Sequence, residues 1–132
     1  MRVEYVDANM QRVYHVLEQA ELIRKRIDGV SYEQLIENDL LLDALMHNVT
    51  VIGEAARAMD ADFRAAHAEI PWRSIVGMRN VLVHEYDDVD CSILWEVITH
   101  DIPVIVPELE KIYDDFELPD GFVPPAIPGK NR

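Results

Sequence analysis

The sequence predicts an all-α protein, an up-and-down bundle of four to five helices, and three observations carry that reading. Apolar residues recur at spacings of three and four along most of the chain, which places them on one face of a 3.6-residue helix. No run alternates apolar and polar residues as a half-buried strand does. Aspartate, glycine and proline punctuate the periodic runs, although Gly53, Pro103 and Pro107 fall inside them.

The elements follow in order. Val6, Met10, Val13, Leu17, Ala20 and Ile23 form the stripe of a first amphipathic helix, closed at Asp28-Gly29 by a glycine stop after Arg24, Lys25 and Arg26. Leu42, Leu45, Val49, Ile52, Ala56 and Met59 define a long second helix with a bundle-like seam. Gly53 inside it should cost about 1 kcal/mol against alanine, so a close helix crossing is its expected reason. A short helical piece follows around Phe63 to His67. A fourth helix is expected from Pro71, which suits a first turn, to His84 or Glu85. Asp87, Asp88 and Asp90 signal a turn and an N-cap, and a last helix runs from Ile93 to Phe116 with a kink or break expected at Pro103 and Pro107. Residues 1–117 are therefore expected to form one helical domain. Residues 118–132, with four prolines and two glycines, are expected to be a disordered or loosely docked tail, or one that lies along a partner.

Composition narrows the function. At 132 residues and 49% hydrophobic content the chain can bury a core and is not a disordered polyelectrolyte. No apolar run reaches the roughly 20 residues a bilayer requires, and the start of the chain has neither the basic nor the apolar region of a signal peptide. The single Cys91 fits a reducing compartment, so a cytoplasmic protein is expected. The net charge of −13 counts against a broad electrostatic grip on nucleic acid. That charge is unevenly placed, however: eleven acids and one base lie in residues 87–120, whereas residues 53–86 hold five acids and the four arginines Arg57, Arg64, Arg73 and Arg79.

Chemistry concentrates in that near-neutral stretch. On a helical wheel Arg79 falls within about 60° of Trp72, Ile75, Val76, Leu82, Val83 and Tyr86, an expensive place for a charge unless it reaches a carboxylate, an edge or a bound anion. Asn80 and His84, four apart, stack beside the stripe. A permanent cation, an amide and an imidazole are what phosphodiester cleavage needs. His84 can move the proton of a ribose 2′-hydroxyl or of the leaving oxygen, Arg79 can stabilise the phosphorane, and the scheme requires no metal or cofactor. One chain offers a single such histidine, so a homodimer would supply the acid and the base together. A structural alternative stays open at this point: His84 interacting with the helix dipole, Arg79 paired with an acid of the last helix, and Tyr86 in the core.

The exact string is more specific. Ile70-Pro71-Trp72-Arg73, Gly77-Met78-Arg79-Asn80-Val81-Leu82-Val83-His84-Glu85-Tyr86, Val89-Asp90 and Leu94-Trp95 resemble the HepT branch of the HEPN superfamily, whose ribonuclease motif is Arg-x4-His. Ile52-Gly53-Glu54-Ala55-Ala56 and Phe63 resemble the same family's long second helix and its exit. The resemblance implies an α-helical homodimer that acts as the metal-independent endoribonuclease toxin of a toxin–antitoxin pair, cutting RNA, tRNA or mRNA among the candidates, in a cleft on the dimer axis. Arg79 and His84 take the catalytic positions and Asn80 the polar position beside the arginine. Tyr86 takes that of the tyrosine that an MNT-type nucleotidyltransferase antitoxin modifies with AMP. Val104-Ile105-Val106-Pro107 and the proline-rich tail depart from the family's pattern.

Three lesser readings complete the set. Arg73, close to the motif, is a candidate RNA contact. Asp43 with His47 and Glu96 with His100 have helical metal-pair spacing but no third ligand in the sequence, so exposed pairing is expected. The alternative function is a non-catalytic subunit that presents nucleotide or substrate to a companion nucleotidyltransferase, using Arg79 for an anion and Tyr86 as acceptor or stacking surface.

Overall fold

A computed structural model of the chain describes residues 7–83, 88–116, 121 and 123–129. Among the described residues the architecture is all-α, and no helix is long and apolar enough to cross a membrane. The first helix, α1 (Ala8–Ile27), starts where the Asp7 carboxylate accepts the Met10 N–H at 3.0 Å. It buries Met10, Val13, Val16, Leu17, Ala20 and Ile23, the expected stripe with Val16 added. Gly29, at φ 72°, turns the chain out as anticipated.

A short helix that the periodicity did not reveal comes next. In α2 (Tyr32–Ile36) a capping box joins Ser31 and Gln34, and Leu35 is fully buried. Then α3 (Asp39–Ala58), capped by Asn38, runs back antiparallel to α1. The start of α1 meets the end of α3 where Asn9 and Asp60 exchange two hydrogen bonds, and its second half meets the middle of α3 where Gln19 and Arg26 bind Asn48.

At Gly53 the expected close crossing is present. A β-carbon there would lie 3.3 Å from the Ile75 carbonyl oxygen and 3.4 Å from that of Val76. The helix that crosses, α5 (Trp72–Val76), follows the short α4 (Ala61–Ala66) and continues as α6 (Met78–Leu82). The expected single helix from Pro71 to His84 or Glu85 is thus two pieces. Gly77 separates them, Pro71 occupies the N-cap rather than the first turn, and the helix stops early because Val83 is extended (φ −101°, ψ 123°). Val83 pairs with Val89 in an isolated antiparallel bridge, and the Asp90 N–H donates to the Leu82 carbonyl at 2.8 Å.

Asp90 is the N-cap expected for the last helical region, accepting from Ser92 and Ile93 N–H. That region comprises α7 (Cys91–Glu96), one π-helical segment (Val97–Asp101) and α8 (Ile102–Asp115). No break occurs at the prolines. The widened π segment lies just ahead of Pro103, which has no N–H to give and whose ring would crowd the carbonyl four residues back, and Pro107 sits inside a continuous α8. The tail differs from the expectation of loose docking at one described residue: Ile127 is buried in the common core, and the Tyr113 hydroxyl donates to the Pro125 carbonyl at 2.9 Å.

Candidate functional site

The site helices are held by their apolar side. Trp72 is buried, and its indole N–H donates to the carbonyls of Arg64 (3.1 Å) and His67 (3.0 Å), which fixes the start of α5 on the end of α4. Phe63 lies against both rings, 6.2 Å from Trp72 and 4.7 Å from His67. Ile75, Met78 and Leu82 continue the buried side toward α3 and α7.

The opposite side presents Arg73, Ser74, Arg79, Asn80 and Val81 to solvent. This corrects the helical-wheel placement of Arg79 in the middle of an apolar stripe. The wheel assumed one uninterrupted helix, and the break at Gly77 puts Met78 inward and Arg79 outward. Arg79 therefore carries no burial cost, and neither Arg79 nor Arg73 has a hydrogen-bond or ion-pair partner among the described residues. Helix α6 ends at Leu82 with Val83 extended, and the expected stacking of Asn80 with His84 falls outside the described residues. His84 and Tyr86 lie outside the described residues. The described residues on either side, Val83 and Val89, form the antiparallel bridge at the end of α6.

An open groove of about 550 Å³ runs between this pair of helices and the last helical region. Arg73, Met78 and Val81 line one side and Val97, Val104 and Glu108 the other; Val81 and Val104 are each 59% exposed. His100 and Asp101 lie on its wall, 3.1 Å apart, and Glu96 lies 3.7 Å from His100, the expected exposed pair. Asp101 is the third group that the sequence reading did not have in view: the three potential ligand atoms lie within 4.8 Å of one another, and all three residues are exposed. The hydrogen bond to Asp101, followed by the charge of Glu96, raises the His100 pKa above its ordinary value.

Other polar candidates are accounted for. Arg24 is engaged bidentately by Glu21 and Arg26 by Asn48, so two of the three cations closing α1 are structural. Burial, with Asp90 and Asp88 nearby, raises the Cys91 pKa, the opposite of what an activated thiolate needs. Sequence reasoning passed over Arg64. Its only signal there was membership of the near-neutral stretch.

Comparison with known proteins gives a family. A model described as Ribonuclease HepT-like matches residues 16–112. Two proteins each named "Putative RNase" are similar to this chain. One, from Caldanaerobacter subterraneus subsp. tengcongensis, is 35% identical over 74% of this chain and 88% of that protein. The other, from Methanocaldococcus jannaschii, is 34% identical over 76% and 92%. A protein of Thermococcus cleftensis named "Probable ribonuclease HepT" is 33% identical over 74% and 88%. No solved structure matches.

Proposed function

The chain belongs to the HepT-like ribonuclease family, and from that premise we propose that it is an endoribonuclease toxin whose reacting groups are Arg79 and His84. The observation that carries this reading is Arg79 itself: in a chain of 25 acids and 12 bases it stands exposed on α6 without a carboxylate partner among the described residues, five residues before the one histidine of its segment. A cation so placed is free to meet a phosphate.

The chemistry is transfer to the 2′-oxygen. His84 takes the proton of the ribose 2′-hydroxyl, that oxygen bonds to phosphorus, and the bond from phosphorus to the 5′-oxygen breaks. A second protonated imidazole returns a proton to the leaving oxygen, which leaves a 2′,3′-cyclic phosphate on one fragment. The Arg79 guanidinium neutralises the charge that grows on the phosphorane oxygens, and Asn80 donates a hydrogen bond beside it. The second imidazole is the His84 of another copy in a homodimer. Val81 and Val104, exposed on one groove, supply apolar surface that such an association can use.

The same reading assigns Tyr86 as the AMP acceptor for an MNT-type nucleotidyltransferase antitoxin. Two residues from His84, an added phosphate and adenine would exclude RNA by bulk and by charge.

Purified protein incubated with total RNA in EDTA should yield fragments ending in 2′,3′-cyclic phosphate. His84→Ala should abolish them, and Arg79→Ala should slow them by about a hundredfold or more. Cleavage that survives His84→Ala would move the reaction to other residues. Tight binding of AMP or ATP without cleavage would favour the non-catalytic nucleotide-presenting subunit instead.

A further inference from the structure

The cavities on this molecule differ in charge. The three larger ones each carry at least two carboxylates: Glu21 and Glu110 in the groove under the tail, Asp101 and Glu108 beside the motif, Asp7 and Asp115 near the start of α1. A fourth, of about 360 Å³, is lined by Ala61, Arg64, Trp72, Arg73 and Val76 and has no acid in its wall. Two guanidiniums thus share one small cavity in a chain whose net charge is −13.

Neither has a carboxylate partner among the described residues. The Arg64 Nε is shut off from solvent and has no hydrogen-bond partner, a donor left unmet at real cost. Arg73 is exposed and without a partner among the described residues. No acid lines the cavity; Asp60, one turn before Arg64, binds Asn9, and Glu69 lies 3.7 Å from His67. The backbone around the cavity is rigid, because the Arg64 carbonyl is itself an acceptor for the Trp72 indole. Paired guanidiniums on a fixed frame, with apolar walls and no competing carboxylate, select a planar or tetrahedral oxyanion.

We propose that this cavity is a phosphate subsite, in which Arg64 and Arg73 hold a backbone phosphate of the RNA next to the one that is cut. The proposal rests on the ribonuclease reading for the identity of the polyanion. Arg73 links the two places, since it borders both this cavity and the groove beside α6, and Arg79 stands exposed on α6 just past the break at Gly77. Arg64 and Arg73 at the cavity, with Arg79 exposed on the following helix, offer single-stranded RNA a small set of cations on an otherwise acidic protein.

The test is direct binding of a fluorescent 2′-O-methyl RNA oligonucleotide, which cannot be cleaved through its 2′-oxygen, to the full chain across a salt series. Arg64→Gln should weaken binding about three- to tenfold, equally for unrelated sequences, and reduce the slope of log K against log salt by about 0.7. Arg64→Lys should keep most of that slope, and Arg73→Gln, an exposed position with no packing role, should reproduce the Arg64→Gln result. Unchanged affinity and slope in the glutamine variants would overturn the proposal, and is also the outcome if an acidic protein surface fills the cavity. Cleavage of ordinary RNA by the unaltered protein judges the ribonuclease reading separately. Binding without cleavage, lost in Arg64→Gln, would sink that reading and leave the subsite standing. Failure of the unaltered protein to bind the oligonucleotide would end the subsite.

Discussion

Asn48 is the buried polar side chain of the core, with no exposed surface, and both ends of its amide are used. Its oxygen accepts from Arg26 and its nitrogen donates to Gln19 at 2.6 Å, so one residue of α3 is tied to two points on α1. Truncation would leave two partly buried partners short of a bond. Asn48→Ala should therefore lower unfolding free energy by about 1–3 kcal/mol, read as a shift of the urea midpoint. Arg79 shows the limit of reasoning from single residues. Its identity and its distance from His84 were legible, but its exposure depended on Gly77, a residue whose effect on helix phase no residue scale predicts.

At the scale of elements the periodic helices were legible and the short ones were not. The stripe of α1 and the seam of α3 repeat often enough to stand out, and Gly29 and Asp90 ended and began helices where their chemistry said they should. Helix α2 is too short to show a period; the Ser31 and Gln34 capping box was its only local mark. The break between α5 and α6 and the π segment ahead of Pro103 arise where a locally helical pattern meets neighbours that it must fit. Gly53 measures one such fit. Valine there would press its side chain against the backbone oxygens of Ile75 and Val76, so Gly53→Val should cost about 1–3 kcal/mol in a denaturant titration and should also displace the helix that carries Arg73.

On the whole molecule, the tail and the charge distribution decide what the bundle can meet. Ile127 joins the common core, and the Tyr113 phenol, donating to the Pro125 carbonyl, holds the described tail segment beside it. Burial, with Tyr14 and Asp114 adding to it, pushes the Tyr113 pKa from the ordinary 10 up to about 12. Between those values the unfolded chain has released a proton that the folded chain retains, so stability falls as pH rises. The contribution is complete below pH 10 and lost on passing about 12. Denaturant midpoints measured across that alkaline range should decline, and Tyr113→Phe should decline less steeply. Acids dominate residues 87–120, and the cavity between Arg64 and Arg73 escapes them only because α4 and α5 meet there.

Amino-acid order alone determined the helical class, the two long helices, the glycine stop at Gly29, the Asp90 cap and the string that marks the HepT-like family, because each is written in residues within a few turns of one another. Tertiary structure decided which way Arg79 faces, where the fourth helix stops, how α7 passes into α8 without a break, and that Arg64 shares a cavity with Arg73. These depend on Gly53 meeting the carbonyls of Ile75 and Val76, on Trp72 reaching back to Arg64 and His67, and on Val83 leaving the helix to pair with Val89. All three contacts reach beyond the three- and four-residue spacing of a helix, and no period in the sequence encodes any of them.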